Sequence, residues 1–182
     1  MKPYVLCFLL GSMLLLGLNH PARAVDAVAF EGGMGEDTTY RGGFGMQWDW
    51  GVEWLPIGDW YLGGYWEASF SYWDGEKGRT GTESLGEFGL APVFRIQSHN
   101  PVYGLWPYLE GAVGIHVMTE EELGDKDFSI PFTFGDHVGT GACFGEKGQF
   151  ELGYRFQHLS NLSLGDSNPG INFHIARFVY HF

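Results

Sequence analysis

The chain has 182 residues and a formal charge of -12, with 17% aromatic residues and 29 glycines. So acidic a chain has no electrostatic reason to bind the phosphate backbone, which excludes nucleic acid as a partner. High Gly and aromatic content without long helical periodicity points to one all-β domain.

In chain order, Lys2, an apolar run from Tyr4 to Leu18 and Ala22-Arg23-Ala24 have the three parts of a secretory signal. The run is too short to span a bilayer as a helix, which needs about 20 residues. Residues 1–24 are therefore expected to be a signal peptide and 25–182 the mature domain. Removing Lys2 and Arg23 deepens the negative charge by two. Cys7 leaves with the signal, so Cys143 has no intramolecular disulfide partner. With no basic neighbour in sequence, Cys143 reads as a packing residue.

Period-two alternation then divides the chain into about eight strands, near 25–35, 38–54, 59–73, 82–98, 105–118, 131–144, 149–161 and 171–182. In the second, Tyr40, Phe44, Met46, Trp48 and Trp50 oppose Arg41, Gln47, Asp49 and Glu53. The third sets Trp60, Leu62, Trp66 and Phe70 against Tyr61, Tyr65, Glu67 and Ser69. The fourth sets Phe88, Leu90, Phe94 and Ile96 against Glu87, Arg95 and Gln97, and the fifth Leu109, Val113, Ile115 and Val117 against Glu110 and His116. The sixth is ambiguous, because Asp136 shares a parity with Phe132, Phe134 and Val138.

A minority face holding both acids and Arg suits a narrow lumen packed with ion pairs, and an apolar majority face suits lipid. A lipocalin-like binder with its apolar face inside fits that charged minority face less well. Trp and Tyr near strand ends match an interfacial girdle. The ending Phe178-Val179-Tyr180-His181-Phe182 resembles the insertion signal of outer-membrane barrels. The expected fold is an eight-stranded antiparallel transmembrane β-barrel of outer-membrane type, without a pore. Both termini are expected on the periplasmic side. Connections near 36–37, 74–81, 119–130 and 162–170 then become outer loops. Glu120, Glu121, Glu122, Asp125 and Asp127 lie in one of them, where a solvated loop is the default and divalent-cation binding the alternative.

In the seventh strand His158 and Ser160 share the apolar face of Phe150, Leu152, Tyr154 and Phe156, which places a polar pair on the lipid wall near the outer leaflet. Such a pair costs stability and so suggests a use. The last strand brings Asn172 and His174 beside it. His158 can then act as general base on Ser160, Asn172 can orient the imidazole, and Asn161 and Asn168 can donate to an oxyanion. The bland alternative is an incidental surface pair, and His174 reads more simply as an interfacial anchor than as a second base.

His158-Leu159-Ser160-Asn161 followed by Asn168-Pro169-Gly170-Ile171-Asn172 resembles the signature of the lipid A 3-O-deacylases known as PagL. The resemblance implies hydrolysis of the acyl ester at the 3-position of lipid A, in the outer membrane of a Gram-negative bacterium. It implies His158 as base and Ser160 as nucleophile, with Asn161, Asn168 and Gly170 around the oxyanion and substrate. It implies lipopolysaccharide and outer-membrane lipids as partners, no metal or other cofactor, and a homodimer as one available assembly. Where the best-known form of the motif carries Glu, this chain has Asn172, which can orient an imidazole but supplies no charge; Asp166 is an alternative third member. The competing function is a non-enzymatic small barrel with a structural or binding role.

Overall fold

The computed structural model describes residues 24–76 and 81–182. The expected signal peptide lies outside the described residues except for Ala24. The strands are β1 (Ala27–Gly35), β2 (Tyr40–Asp49), β3 (Trp54–Ile57), β4 (Trp60–Asp74), β5 (Ser84–Ser98), β6 (Trp106–Met118), β7 (Glu122–Leu123), β8 (Lys126–Asp127), β9 (Phe132–Phe144), β10 (Phe150–Ser160) and β11 (Ile171–His181). Eight of them form a closed antiparallel barrel in the order β2, β1, β11, β10, β9, β6, β5, β4, and pairing of β4 with β2 closes it. Closure leaves no barrel edge to template aggregation. The connections from β1, β4, β6 and β10 gather at one end, here the loop end; those from β2, β5 and β9 gather at the other, the turn end.

The outer wall is apolar. Phe30, Phe88, Leu109, Val113, Val138 and Leu152 are each more than half exposed. A continuous apolar belt on this scale is what lipid, and not water, would cover.

The lumen reverses that pattern at mid-height. Glu110 accepts from Tyr65 Oη at 2.9 Å, Arg95 Nη2 at 2.7 Å and Arg155 Nε at 2.6 Å. Arg155 also reaches Glu67, and Arg177 reaches Glu31 at 2.7 Å and Glu67. Toward the turn end Glu151 takes Arg95 at 2.8 Å, Tyr108 at 2.7 Å and His181 at 3.1 Å. Buried charges persist only when paired, and here Glu67, Glu110 and Glu151 each have several donors, whereas Glu31 Oε1 meets Arg177 as an ion pair without a well-formed hydrogen bond. Glu110→Ala would leave Arg95 on Glu151 and Arg155 on Glu67, with the two Nε–H groups that met Glu110 buried and unpaired. We expect a loss of about 3–5 kcal/mol, read as a lowered urea midpoint of the refolded barrel in micelles.

Sequence and structure differ at two places. Alternation carries the second strand to residue 54, but β2 ends at Asp49. Trp50 turns to pack on Trp54, Trp66 and Phe94, with ring centroids 5.7, 6.4 and 5.0 Å away, and the chain returns as β3 along β4. Gly51, at φ +66°, permits the turn. Toward the loop end the lumen is apolar, where the sequence pattern predicts charge. Trp73, Leu85, Met118, Leu159, Ile171, Phe173 and Ile175 join Leu123 and Phe128, which the β7–β8 hairpin supplies.

Arg41 marks the boundary between the two layers. Its guanidinium lies 5.2 Å from the Phe173 ring and 5.9 Å from Trp73, while Nη1 donates to Gln157 at 2.6 Å. Glu120, Glu121, Asp125 and Asp127 remain exposed on the far side of the hairpin.

Candidate active site

The lipid-facing parity of β10 holds in the structure: Leu152, Tyr154 and Phe156 face out, opposite Glu151, Arg155 and Gln157. His158 follows on the outer face, half-buried. Ser160 comes two residues later, 7% exposed, where β10 meets the loop end. In register, His158 stands between Asn172 on β11 and Asp136 on β9, and Ser160 stands beside Phe134. Asp136 therefore points outward, which resolves the ambiguous parity of that strand.

His158 Nδ1 lies 2.8 Å from Asn172 Oδ1. An amide oxygen only accepts, so Nδ1 carries a proton, and in the neutral imidazole Nε2 is then the free nitrogen. That is the tautomer a general base needs, with its free nitrogen available to a hydroxyl proton. Asn172 Nδ2 in turn donates to Glu36 Oε1 at 2.6 Å. Sequence reasoning missed Glu36, because nothing within a single strand brings position 36 near position 172.

Gly170 sits under the imidazole at φ +61°. A Cβ added there would lie 2.9 Å from His158 Cε1. Glycine thus serves both the left-handed backbone and the ring's close approach.

Residue type and position suggest Asn161 and Asn168 together as oxyanion donors, but their geometry separates them. Asn161 is fully buried, and its Nδ2 donates to Phe128 O at 2.7 Å and Ser167 O at 2.8 Å. Its Oδ1 accepts from Ser163 N at 2.9 Å, its carbonyl from Leu164 N at 3.0 Å, and its N–H donates to Asn168 Oδ1 at 2.9 Å. With both amide protons engaged, Asn161 is a clamp for the 161–170 loop. Asn168 is exposed, and with Oδ1 taken by Asn161 its Nδ2 is turned away from the clamp. Asn161→Ala should strip partners from two carbonyls and an N–H, costing about 1–3 kcal/mol for each group left dry. Limited proteolysis should then cut within 161–170 in a barrel that stays folded. An unchanged cleavage pattern would contradict the clamp.

His174 does not reach the pair. Its Nδ1 is 2.6 Å from Tyr154 Oη and its ring packs on Phe156 with centroids 5.3 Å apart, a contact set that anchors the strand. Asp166 is exposed and makes none of the contacts to His158. Cys143, Glu151 and His181 cluster at the turn end, but Arg95 and Tyr108 occupy the Glu151 oxygens, so this cluster belongs to the lumen network.

A closed antiparallel barrel with an apolar outside, a salt-bridged inside and a polar cluster set into its outer wall defines an outer-membrane-type β-barrel whose candidate active site faces the lipid. The profile of the lipid A 3-O-deacylase (PagL) family matches residues 38–181. The lipid A deacylase PagL of Pseudomonas aeruginosa is 33% identical over 151 residues, 82% of either chain. That of Bordetella bronchiseptica is 28% identical over 120 residues, 64% of this chain and 61% of its own.

A crystal structure of the outer membrane enzyme PagL superposes with a TM-score of 0.77 at 25% identity, covering 86% of this chain and 99% of its own. Neisserial surface protein A shares the fold at a TM-score of 0.50 and 11% identity, covering 86% of this chain and 94% of its own. The chain belongs to the lipid A 3-O-deacylase (PagL) family.

Proposed function

We propose that this protein hydrolyses the 3-position acyl ester of lipid A in the outer leaflet of a Gram-negative outer membrane, as a Ser-His esterase. The observation that carries the reading is the His158–Asn172 hydrogen bond on the lipid-facing wall, two residues from Ser160. It leaves Nε2 as the basic nitrogen at the point where an acyl chain lying along Phe156 and Tyr154 would present its ester.

The steps follow from those positions. Nε2 of His158 takes the Ser160 hydroxyl proton as Oγ attacks the ester carbonyl, and the carbonyl π pair moves onto oxygen. Asn168 Nδ2, free of the clamp, is the side-chain donor offered to that oxyanion. When the tetrahedral intermediate collapses, the bond to the sugar oxygen breaks and His158 returns the proton to it. Water, deprotonated by His158, then attacks the acyl-serine; the acyl C–Oγ bond breaks, His158 returns the proton to Ser160 Oγ, and the fatty acid leaves. The substrate enters sideways from the bilayer, so the lumen stays filled throughout. In this orientation the loop end faces outward, residues 1–24 act as the export signal, and the neighbours of the barrel are lipopolysaccharide and outer-membrane lipids.

The test is expression in a Gram-negative host whose lipid A carries a 3-O-linked hydroxyacyl chain. Mass spectrometry should show lipid A lighter by that one chain. Unchanged lipid A in cells whose outer membrane contains the folded barrel would overturn the proposal in favour of a non-enzymatic barrel.

A further inference from the structure

We infer that Glu36 supplies the acid of this site, acting on His158 through Asn172 as a positioning residue; the inference rests on the esterase reading above. Asn172 touches the imidazole, but an amide does not by itself fix which of its ends faces the ring. Glu36 does.

The orientation argument is one of donors and acceptors. The two ends of an amide are told apart by what they face. A carboxylate only accepts, so Glu36 Oε1, 2.6 Å from Asn172, selects the NH2 end. The other end, Oδ1, is then turned to His158 Nδ1 at 2.8 Å and selects the Nδ1–H tautomer. Without the carboxylate, Asn172 can turn over and present NH2 to Nδ1. That places the imidazole proton on Nε2, where it blocks the base.

The backbone holds Glu36 in place. β1 ends at Gly35, but Glu36 N–H donates to Asn172 O at 3.2 Å, so the β1–β11 ladder runs one step further. Thr39 N–H donates to Glu36 O at 3.1 Å across a two-residue turn in which Asp37 and Thr38 have φ of 51° and 56°. This is a type I′ hairpin turn built without glycine, and left-handed backbone at a β-branched Thr is uncommon. Such strain persists only where surrounding structure over-determines it. Lys126 supplies part of that structure: its Nζ lies 3.5 Å from Glu36 Oε2, 3.1 Å from Asp37 Oδ2 and 3.4 Å from Gly170 O. One cation thereby ties the turn to the loop beneath the imidazole.

Asp136 is the rival acid. It stands opposite His158 on β9, but no hydrogen bond joins the two. The other ionisable groups facing the site are committed elsewhere, Asp37 to Lys126 and His174 to Tyr154.

The test compares purified wild type, Glu36→Gln, Asp136→Asn, Asn172→Glu and the double variant Glu36→Gln/Asn172→Glu, all acting on lipopolysaccharide in mixed micelles. Glu36→Gln should lower kcat at least tenfold with little change in KM, and Asp136→Asn should stay within twofold of wild type. Asn172→Glu alone sets two carboxylates side by side. Combined with Glu36→Gln, that crowding is gone and the new carboxylate meets Nδ1 directly, so the double variant should exceed both single variants. Histidine 15N spectra supply a readout independent of turnover: the His158 signal should report Nδ1–H in the wild type and a tautomer mixture in Glu36→Gln. An active wild type with Glu36→Gln unchanged in kcat and tautomer, or a collapse of rate in Asp136→Asn instead, would overturn the role of Glu36 and leave the esterase standing. A folded wild type without activity would overturn both.

Discussion

Ser160→Ala should lower deacylation by roughly 10⁴-fold or more, and His158→Ala by a similar factor, with the double variant little worse than either. Non-additivity is the informative part. A nucleophile and its base act as one unit, so removing the second member after the first costs little. The alternative, in which the two are incidental polar residues on the wall, predicts small and additive effects. Neither change should harm the barrel. Neither side chain belongs to the ion pairs or the apolar cluster that fill the lumen. Retained heat-modifiable mobility on gels, measured on the same preparations, checks that the lost activity is not lost folding.

Gly170→Ala should cost about 10²-fold in kcat, the scale expected when a catalytic group is displaced by about an ångström. The added methyl would stand 2.9 Å from His158 Cε1, so the imidazole must tilt and lengthen its bond to Asn172. The backbone penalty of a left-handed alanine is a separate effect, and the molecule supplies its own control. Gly58 has φ +60° and nothing within 4 Å of an added Cβ. Gly58→Ala should therefore lose about 1–2 kcal/mol of stability with activity unchanged. Equal activity losses in the two variants would contradict the steric account of Gly170.

The strands are legible because charge and apolarity alternate so sharply in β2, β5 and β6, and the outward stance of His158 follows from its sharing a face with Leu152, Tyr154 and Phe156, whereas Ser160 is buried where that alternation ends. Parity along one strand has a limited reach. It says which face a residue takes, but not where the lumen changes from ionic to apolar. Leu159, Ile171 and Phe173 become core only because β7–β8 folds Leu123 and Phe128 over them, and those two residues are flanked by acids that make the segment read as solvated loop. Glu36 is out of reach for another reason. It meets Asn172 across 136 positions, through closure of β1 on β11. Asn161 misleads because its type and place suit an oxyanion donor. Only the positions of Phe128 O and Ser167 O show that its protons are spent.

Whether Ser160, activated by His158, is a nucleophile open to the bilayer decides the mechanism. A long-chain alkyl fluorophosphonate, incubated with the barrel in lipid vesicles and mapped by peptide mass spectrometry, tests it most directly. The expected result is a single stoichiometric adduct on Ser160 that forms in parallel with loss of deacylation and is absent from His158→Ala. An adduct on another residue, or full deacylase activity with Ser160 unmodified, would contradict it.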